Sequence, residues 1–317
     1  MTDTEPADCC DVSILVVGYN SRSFVDGCIG SVDKATHRHS FEIRFVNNST
    51  DLSEDLVRSL FPDVAVLPTR GNIGFGTANN YLAREAKGRW LLLLNPDTRL
   101  EPLAIDRLLD ASKGDRSFGI LGGLSVSRKG EPLAMSRLEF PTFARILRGA
   151  IGKGGAPLPV PDSSAVLEVE AVSGAFMLID RHWWNRLGGF DERFFLYAEE
   201  LDLCWRLRQL GGKVGLVSGA RVMHDVGSGE PASPARVLLS MRGSATFYRK
   251  HFSATYAGVC LFAHWLSCAG RFVVGSLLGS FDMRWSAAAR SMRGVTLRPW
   301  SWYKGYDAVM TKSTPST

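Results

Sequence analysis

Asp97 is the residue of this sequence best placed for metal chemistry. It lies in the turn Asn95-Pro96-Asp97-Thr98, directly after the apolar segment 90–94. A carboxylate at the carboxyl end of a buried strand is suited to a hard divalent cation that keeps several waters and also grips a diphosphate. Asn, Pro and Asp are also the usual turn residues, so Asp97 could instead cap the helix predicted to start near Pro102. The residues around Asp97 must decide between these two interpretations.

A glycine-rich segment precedes this turn. Gly71, Gly74 and Gly76 let the backbone approach an anionic ligand, and the helix predicted after them has an N-terminus that favours negative charge. Their spacing is not G-x-G-x-x-G, and no acidic residue follows about twenty residues on at a strand end, which weighs against a dinucleotide dehydrogenase. A plain tight turn is the alternative for these glycines.

Four further side chains could take part in acid–base or metal chemistry. Glu199, Glu200 and Asp202 open a predicted helix, where acidic residues stabilise the helix dipole, so a structural role and a role as general base both fit. His224 follows another apolar segment. Imidazole is a common metal ligand, whereas a lone histidine is more often a satisfied loop or core residue.

The elements that must position these residues alternate along the chain. Short β-branched or aliphatic runs alternate with amphipathic stretches, which is the pattern of βα units around a mostly parallel sheet. Strands are predicted at 12–19, 41–46, 64–68, 90–94, 118–124, 175–179 and 213–217, and helices at 24–32, 53–61, 77–86, 103–111 and 200–210. In such Rossmann-like sheets ligands bind outside the carboxyl ends of the strands, which is where Asp97 stands.

Several short motifs follow one another in a characteristic order. They are Tyr19-Asn20-Ser21, Asn47-Asn48-Ser49-Thr50-Asp51, Asn72-Ile73-Gly74-Phe75-Gly76 with Asn79 and Asn80, Asn95-Pro96-Asp97, Gly174-Ala175-Phe176-Met177, Gly188-Gly189-Phe190-Asp191-Glu192, Phe194-Phe195, Glu199-Glu200-Leu201-Asp202 and His224. From Ser13 to Gly227 this order resembles the family 2 glycosyltransferases, and within them the bacterial rhamnosyltransferase-like branch.

The resemblance implies a GT-A fold, an α/β domain with a Rossmann-like, mostly parallel central sheet, followed by a C-terminal helical appendage. It places a divalent metal, Mg²⁺ or Mn²⁺, at Asp97 and His224. It makes Glu200 the general base, with Glu199 and Asp202 as alternatives because relatives usually carry Asp at position 200. It assigns donor contacts to Tyr19, Asn20, Asn47, Asn48, Arg70, Asn72, Gly74, Asn80 and Asn95.

The implied function is sugar transfer from a nucleotide-sugar donor with inversion at the anomeric carbon. L-Rhamnose from dTDP-rhamnose is the leading donor, and a galactofuranosyl or other hexosyl donor, including a UDP-sugar, is the alternative. The expected acceptor is a glycan or a polyprenyl-linked glycan in bacterial cell-wall or surface-polysaccharide synthesis. A non-catalytic nucleotide-sugar-binding subunit is the rival, because Asn47 stands where relatives usually carry Asp and Glu200 also departs from the pattern.

Composition and charge limit the partners. The chain has 317 residues with 45% hydrophobic and 22% charged residues, typical of globular proteins. The net charge is +5, and basic residues gather from Arg236 onward, which favours an anionic surface such as a membrane. No nucleic-acid-binding motif is present, so no nucleic-acid partner is expected. The six cysteines include no C-x-x-C pair, which argues against a zinc site or a disulfide framework.

Three regions are predicted: a disordered tail at 1–11, a catalytic domain at 12–230, and a helical region at 231–317. The catalytic domain would contain a nucleotide-sugar half at 12–125 and an acceptor half at 166–230. The acidic tail lacks the features of a signal peptide, so we expect a cytoplasmic protein at the inner face of the plasma membrane. The Gly- and Pro-rich stretch 141–161 is predicted as a loop. Residues 253–281 predict an amphipathic helix, either packed on the core or lying at a membrane interface.

Overall fold

The structure is a computed structural model that describes residues 10–150, 165–224, 232–280 and 282–306. The chain divides into two compact units. The first comprises the described residues of Met1–Glu139, Pro157–Asp191 and Glu200–Val226, and the second those of Phe140–Ala156, Glu192–Glu199 and Gly227–Thr317. Residues 1–9 of the predicted tail and the predicted boundary at 230 and 231 lie outside the described residues.

All described strands belong to the first unit. They are β1 (Cys10–Gly18), β2 (Phe41–Asn47), β3 (Ala65–Leu67), β4 (Gly88–Leu94), β5 (Thr98–Leu100), β6 (Phe118–Val126), β7 (Arg137–Leu138), β8 (Val166–Val169), β9 (Ala171–Val172), β10 (Phe176–Asp180) and β11 (Lys213–His224). The helices are α1 (Val25–Ile29), α2 (Val32–Ala35), α3 (Ser53–Leu60), α4 (Phe75–Glu85), α5 (Ala104–Ser112), α6 (Phe143–Ala150), α7 (Arg181–Leu187), α8 (Glu199–Gln209), α9 (Pro234–His251), α10 (Ala254–Leu278) and α11 (Met283–Leu297).

The central sheet of the first unit has the strand order β3-β2-β1-β4-β10-β6-β11-β5, and β8 also pairs with β11. The four strands from β3 to β4 are parallel. β10 runs antiparallel to both β4 and β6, whereas β11 is parallel to β6 and antiparallel to β5. The predicted α/β fold class is confirmed. Its sheet is parallel in the first half and mixed after β4, because β10 enters between β4 and β6 in the opposite direction.

The core of the first unit forms around β1 and β4. Leu91, Leu92 and Leu93 of β4 are fully buried, so both faces of the strand are covered. A strand covered on both faces has no polar alternation, which is why the segment before Asp97 is a continuous apolar run. On one face, β1 and β4 pack with residues of α1 and α5 such as Val25 and Leu108. This burial fixes the position at which β4 ends and the Asn95–Thr98 turn begins.

Several predicted elements differ from the structure. The helix predicted at 24–32 is two short helices, α1 and α2, separated at Gly30 and Ser31; glycine is a poor helix former. The loop predicted at 141–161 contains α6, whose Phe143, Ile146 and Leu147 have helical spacing; residues 151–161 lie outside the described residues. The strand predicted at 213–217 continues to His224 as β11.

The second unit contains α6, α9, α10 and α11. Tyr306 joins its segments, because its hydroxyl donates to the carbonyl oxygens of Leu196 at 2.6 Å and Leu239 at 3.0 Å. The helix predicted within 253–281 is α10. Among the described residues, α10 is the one helix long and apolar enough to cross a membrane, with a mean hydropathy of 1.4. Its Phe262 and Leu277 are 63% and 69% exposed, so part of the predicted apolar face is not covered within the structure.

Candidate active site

Strand pairing in the first unit brings Asp97 and His224 together. Asp97 lies between β4 and β5, and His224 is the last residue of β11. β5 and β11 are antiparallel, with His224 opposite Thr98, the residue after Asp97. The Nε2 atom of His224 consequently lies 3.3 Å from the Oδ1 atom of Asp97. The two predicted metal ligands are neighbours at the carboxyl ends of β4 and β11.

The carboxylate of Asp97 is not used to close its own turn. The Thr98 backbone N–H and hydroxyl donate to the Asn95 carbonyl oxygen at 3.2 and 2.6 Å. The Asn95 N–H donates to the carbonyl oxygen of Ala175 at 3.0 Å. These bonds hold the turn through its backbone and Thr98, so the turn interpretation alone does not explain an aspartate at position 97.

The side chains of Asp97 and His224 fit a divalent cation whose other coordination positions would be filled by substrate phosphates and water. The Oδ1 atom of Asp97 is inaccessible to solvent and has no hydrogen-bond partner among the described residues, and its neighbour is the Nε2 atom of His224 at 3.3 Å. Buried polar atoms are nearly always paired, so a buried carboxylate oxygen without a hydrogen bond fits a site for a bound cation. No group of three or more His, Cys, Asp or Glu side chains forms a closed metal cage in the described part of the chain. Mg²⁺ is typically held by one or two carboxylates together with substrate phosphates and waters, which matches such an open site.

Glu200 lies at the same edge of the sheet. A Cβ atom built on Gly174 would be 4.0 Å from the Cβ atom of Glu200, and Gly174 precedes Ala175, which binds Asn95. The Oε2 atom of Glu200 is inaccessible to solvent and has no hydrogen-bond partner among the described residues. Burial raises the pKa of this carboxyl above its ordinary value. A carboxylate with a raised pKa and an unpaired oxygen can accept a proton near neutral pH.

Asp202 has a structural partner instead. Its Oδ2 atom accepts from Arg206 Nε at 2.7 Å, and the Asp202 side chain is fully buried. Arg206 also donates to the carbonyl oxygens of Leu187 and Gly189 at 2.7 and 2.8 Å. The Asp202–Arg206 pair thus anchors the turn that follows α7. The i,i+4 spacing of the two residues on a predicted helix is the signal that could have predicted this pair.

Glu199 belongs to the second unit and follows a strained segment. Tyr197 and Ala198 have φ values of 70° and 71°, which cost about 1–3 kcal/mol each for residues other than glycine. Within the same unit, the Tyr306 hydroxyl binds the preceding Leu196 carbonyl. Burial first and the negative charge of Glu199 second raise the pKa of Tyr306. The Glu199 carboxylate is therefore close to Tyr306, which favours a structural role for it.

The loops after β1 and β2 are joined by hydrogen bonds through Asp51. Its carboxylate accepts from the backbone N–H of Arg22 at 2.9 Å, from the N–H of Ser53 at 3.1 Å and from Asn47 Nδ2 at 3.0 Å. Burial would raise the pKa of Asp51, but the bonds from Ser53 and Arg22 lower it to about 2. Asn47 is fully buried, and its Oδ1 atom accepts from the N–H and hydroxyl of Ser49, both at 2.9 Å. The predicted donor residue Asn47 therefore shapes this loop from within.

The start of α4 is built from three of the predicted donor residues. Gly74 is the N-cap with φ 85°, a conformation that favours glycine. The Asn48 amide donates to the carbonyl oxygen of Gly74 at 3.1 Å, and the Gly74 N–H donates to Asn72 Oδ1 at 3.3 Å. The Oδ1 atom of Asn48 is buried and has no partner among the described residues.

The remaining predicted donor residues fall into two groups. Tyr19 is 54% exposed after β1, the exposed Arg70 lies 4.0 Å from the Tyr81 ring centroid, and the Asn20 N–H donates to the Ser49 hydroxyl at 3.0 Å. Asn80 is buried, and its amide exchanges two 2.9 Å hydrogen bonds with the backbone of Phe190. The Asn80 side chain thus holds the backbone at Phe190 by hydrogen bonds, whereas Tyr19 and Arg70 are accessible to a ligand.

Sequence comparison finds one matching family model and relatives that include rhamnosyltransferases. The family model for Glycosyl transferase family 2 matches residues 13–168. The N-acetylglucosaminyl-diphospho-decaprenol L-rhamnosyltransferase of Mycobacterium tuberculosis is 28% identical over 267 residues, which cover 78% of this chain and 84% of the relative. The rhamnosyltransferase WbbL of Escherichia coli K12 is 24% identical over 226 residues, which cover 67% of this chain and 83% of the relative.

Comparison with solved structures finds proteins that share the fold of this chain. The mannosyltransferase PcManGT from Pyrobaculum calidifontis, solved in complex with GDP-Man and Mn²⁺, has a TM-score of 0.55 at 15% identity. The similarity covers 93% of this chain and 90% of that one. At this identity the likeness shows a shared fold alone, and it agrees with the sheet and motifs described above. Residues 13–168 of the chain match glycosyl transferase family 2, and the relatives found by sequence extend this similarity to 78% of the chain.

Proposed function

We propose that the protein is an inverting, metal-dependent glycosyltransferase that uses a nucleotide-sugar donor. The observation that carries the proposal is the 3.3 Å contact between Asp97 Oδ1 and His224 Nε2, at the sheet edge where Glu200 has a buried, unpaired oxygen. A cation ligand pair beside a carboxylate with a raised pKa is what direct displacement at a sugar carbon requires.

In this mechanism Glu200 is the general base. The acceptor hydroxyl oxygen attacks the anomeric carbon while the Glu200 carboxylate takes the hydroxyl proton. The bond between the anomeric carbon and the diphosphate oxygen breaks, and the nucleoside diphosphate leaves on the opposite face, so the anomeric configuration inverts. The transition state has oxocarbenium-ion character, as in glycoside hydrolysis. A Mg²⁺ or Mn²⁺ ion held by Asp97 and His224 would supply positive charge to the departing diphosphate.

The predicted donor residues define where the nucleotide would lie. Tyr19 is exposed beyond β1, and Asn48 presents a buried, unpaired Oδ1 atom beside the start of α4. The N-terminus of α4 favours a negative group, and no acidic residue occupies its first turn. Asn20, Asn72 and Gly74 shape these loops, and Asn47 and Asn80 support them from within.

The sugar and the acceptor are proposed from the relatives. Both relatives described above are rhamnosyltransferases, so L-rhamnose from a dTDP donor is the proposed transfer, in cell-wall or surface-polysaccharide synthesis. The name of the M. tuberculosis relative specifies a decaprenyl-diphosphate-linked acceptor. We therefore propose a polyprenyl-linked acceptor and a position at the inner face of the plasma membrane, with the exposed apolar side chains of α10 at the lipid interface.

A donor panel tests the proposal. Release of nucleoside diphosphate is measured from dTDP-rhamnose, UDP-galactofuranose and other UDP- and GDP-hexoses, with Mg²⁺ or Mn²⁺ and with chelator. Turnover of dTDP-rhamnose that chelator abolishes is the expected result. Preference for another sugar would replace the donor assignment. Binding of nucleotide sugars without turnover of any of them, in the presence of a lipid-linked acceptor, would instead favour a non-catalytic binding subunit.

A further inference from the structure

The second unit contains a cavity of about 570 Å³ with basic residues from three helices. Arg145 of α6, Arg236 of α9 and Arg271 of α10 line it. No aspartate or glutamate is among the described residues that line it. The volume is in the range of about 300–1,000 Å³ that is typical of ligand pockets. We call this space the basic cavity.

Two of these arginines donate hydrogen bonds to backbone carbonyl oxygens. Arg145 donates to the Phe140 carbonyl oxygen at 2.9 Å, and Arg271 donates to the Gly149 carbonyl oxygen at 3.0 Å. A neutral carbonyl positions a guanidinium without cancelling its charge, and an arginine has five N–H donors. Arg236 and Arg271 form no ion pair with a carboxylate in the described part of the chain. The basic cavity therefore keeps a net positive charge.

The N-terminal end of helix α9 adds to the positive charge of the basic cavity. Arg236 lies in the first turn of α9, Val237 and Ser240 also line the basic cavity, and the first turn contains no acidic residue. The N-terminal end of a helix carries a partial positive charge that an anion can neutralise. Arginine is well suited to phosphate, because its planar group can donate two parallel hydrogen bonds to phosphate oxygens.

The rest of the lining is apolar or neutral. Ile146, Met241 and Met292 supply apolar surface, and Tyr248 and His264 contact each other at 3.3 Å between Oη and Nδ1. Burial and then the charge of Arg271 lower the pKa of His264 to about 4, so this imidazole is neutral at pH 7. Among the described side chains that line the basic cavity, the three arginines are the ones that carry positive charge at pH 7. A site with an anionic group at one end and hydrocarbon at the other matches this lining.

Two of the helices that line the basic cavity, α6 and α10, also line an apolar groove of about 540 Å³. This apolar groove includes Phe143, Leu147, Phe262 and Leu266. Leu147, Phe262 and Leu266 are 46%, 63% and 53% exposed. The basic cavity and the apolar groove together favour a ligand that carries both a phosphate group and a long hydrocarbon chain.

We propose that the basic cavity binds the phosphate end of a polyprenyl-linked acceptor, with Arg145, Arg236 and Arg271 contacting phosphate oxygens and the apolar lining contacting the first isoprene units. This inference rests on the proposed function, since it assigns a site to part of the proposed acceptor. A flat anionic membrane is the other source of lipid phosphate, and it fits less well because the arginines converge on a concave space.

Direct binding of a fluorescent polyprenyl diphosphate tests the inference without any need for turnover. The full chain is titrated with the probe in phosphatidylcholine vesicles. The comparison arms are the matching polyprenol, free pyrophosphate as competitor, and vesicles of phosphatidylcholine with phosphatidylglycerol without the probe. The variants are Arg236→Gln, Arg236→Lys and the double variant Arg236→Gln/Arg271→Gln. Arg293→Gln is the matched control, because Arg293 is exposed on α11 and does not line the basic cavity.

We expect saturable binding of the diphosphate probe, weak binding of the polyprenol, and at least a tenfold loss of affinity in the double variant, with partial recovery in Arg236→Lys. Thermal unfolding midpoints and nucleoside diphosphate binding should match wild type, which separates this site from the donor site. Equal losses in Arg293→Gln, equal affinity for polyprenol, or a loss of binding to phosphatidylglycerol vesicles in the double variant as large as its loss of probe binding would overturn the inference. If no donor in the panel turns over while arginine-dependent probe binding persists, the proposed function fails and the lipid site stands.

Discussion

The Nε2 atom of His224 lies 3.3 Å from the Oδ1 atom of Asp97, although Asp97 follows the fourth strand and His224 ends the eleventh. The contact exists because β5 pairs with the end of β11 and sets Thr98 opposite His224. The Asp97 Oδ1 atom makes no hydrogen bond among the described residues, and a buried carboxylate oxygen of this kind is costly to leave without a further partner.

Replacing Asp97 with Asn should remove most of the activity while the protein stays folded. Loss of a group that holds charge at the reacting diphosphate costs about 10²–10³-fold in kcat. The fold should persist because the turn is closed by Asn95 and Thr98. His224→Ala should weaken activation by Mg²⁺ or Mn²⁺ about 10–100-fold. Metal titration of the steady-state rate measures both effects.

The controls for these two variants are Asp63→Asn and His182→Ala, which change exposed residues. Both should retain wild-type activation by metal. Wild-type kcat in Asp97→Asn would rule out the proposed metal site, whatever the behaviour of His224→Ala.

Glu200→Gln should lower kcat about 10²–10⁴-fold, the usual contribution of a general base. Its stability should equal or exceed that of wild type, because the change removes the negative charge of a buried carboxylate. The wild-type rate should rise with pH through the raised pKa of Glu200 and then level off, since only the deprotonated form accepts a proton. A pH–rate profile and thermal unfolding measure these effects. An unchanged acidic limb in Glu200→Gln would assign the base elsewhere.

Asp202→Asn should act on stability instead. The substitution leaves Arg206 without its charge partner beside the α7 turn, and breaking a buried ion pair costs several kcal/mol. Because the Arg206 side chain is 20% exposed, we expect a loss of about 2–4 kcal/mol in the free energy of unfolding, measured in urea. Glu168→Gln, which breaks the exposed pair with Arg208, should cost about 1 kcal/mol or less. A folded Asp202→Asn with wild-type stability but no turnover would make Asp202 a catalytic residue.

Asp51 should make stability depend on pH in the acid range. Its pKa falls from 3.8 to about 2 on folding, so its contribution is complete above pH 4 and is lost as the pH falls through about 2. After allowance for solvent screening of this partly exposed group we expect about 1 kcal/mol. Asp51→Asn should therefore unfold more easily than wild type at pH 7, and the difference should shrink as the pH falls from about 4 towards 2. A constant difference across that range, measured by chemical denaturation, would contradict the assignment.

The exposed side chains of α10 should control membrane binding. The triple variant Phe262→Ser/Leu266→Ser/Leu277→Ser should lose flotation with anionic vesicles, because these side chains are 63%, 53% and 69% exposed. Unfolding midpoints should change little, since exposed positions contribute little to packing. Leu52→Ser/Leu60→Ser, at positions 56% and 51% exposed in the first unit, is the matched control. Equal flotation of wild type and triple variant would remove α10 from the interface.

Much of the fold was predictable because its strongest signals are local. β1, β2, β4 and β6 lie close to the predicted strands, since their apolar runs are buried whatever their neighbours are. The antiparallel direction of β10 was not predictable, because the apolar run at the start of Phe176–Asp180 predicts a buried strand but carries no signal for its direction. α6 was missed since its short apolar spacing lies beside Gly- and Pro-rich sequence.

The candidate site divides in the same way. Asp97, Glu200 and His224 were predicted from residue type and motif order. The internal use of Asn47 and Asn80 was not, because it depends on contacts with Ser49 and with the distant Phe190. The ion pair between Asp202 and Arg206, which gives Asp202 a structural role, was not predicted either. The i,i+4 spacing of the two residues is nevertheless a signal for it.

By itself the sequence determined the strands, the turn that holds Asp97 and the family of the chain, because apolar runs, turn residues and motif order are properties of neighbouring residues. Only the tertiary structure decided that Asp97 meets His224, that Glu200 keeps an unpaired oxygen while Asp202 is neutralised, and that three arginines from α6, α9 and α10 line one cavity. Those relationships join residues far apart in the chain, and they follow from strand order, register and helix packing rather than from any local pattern.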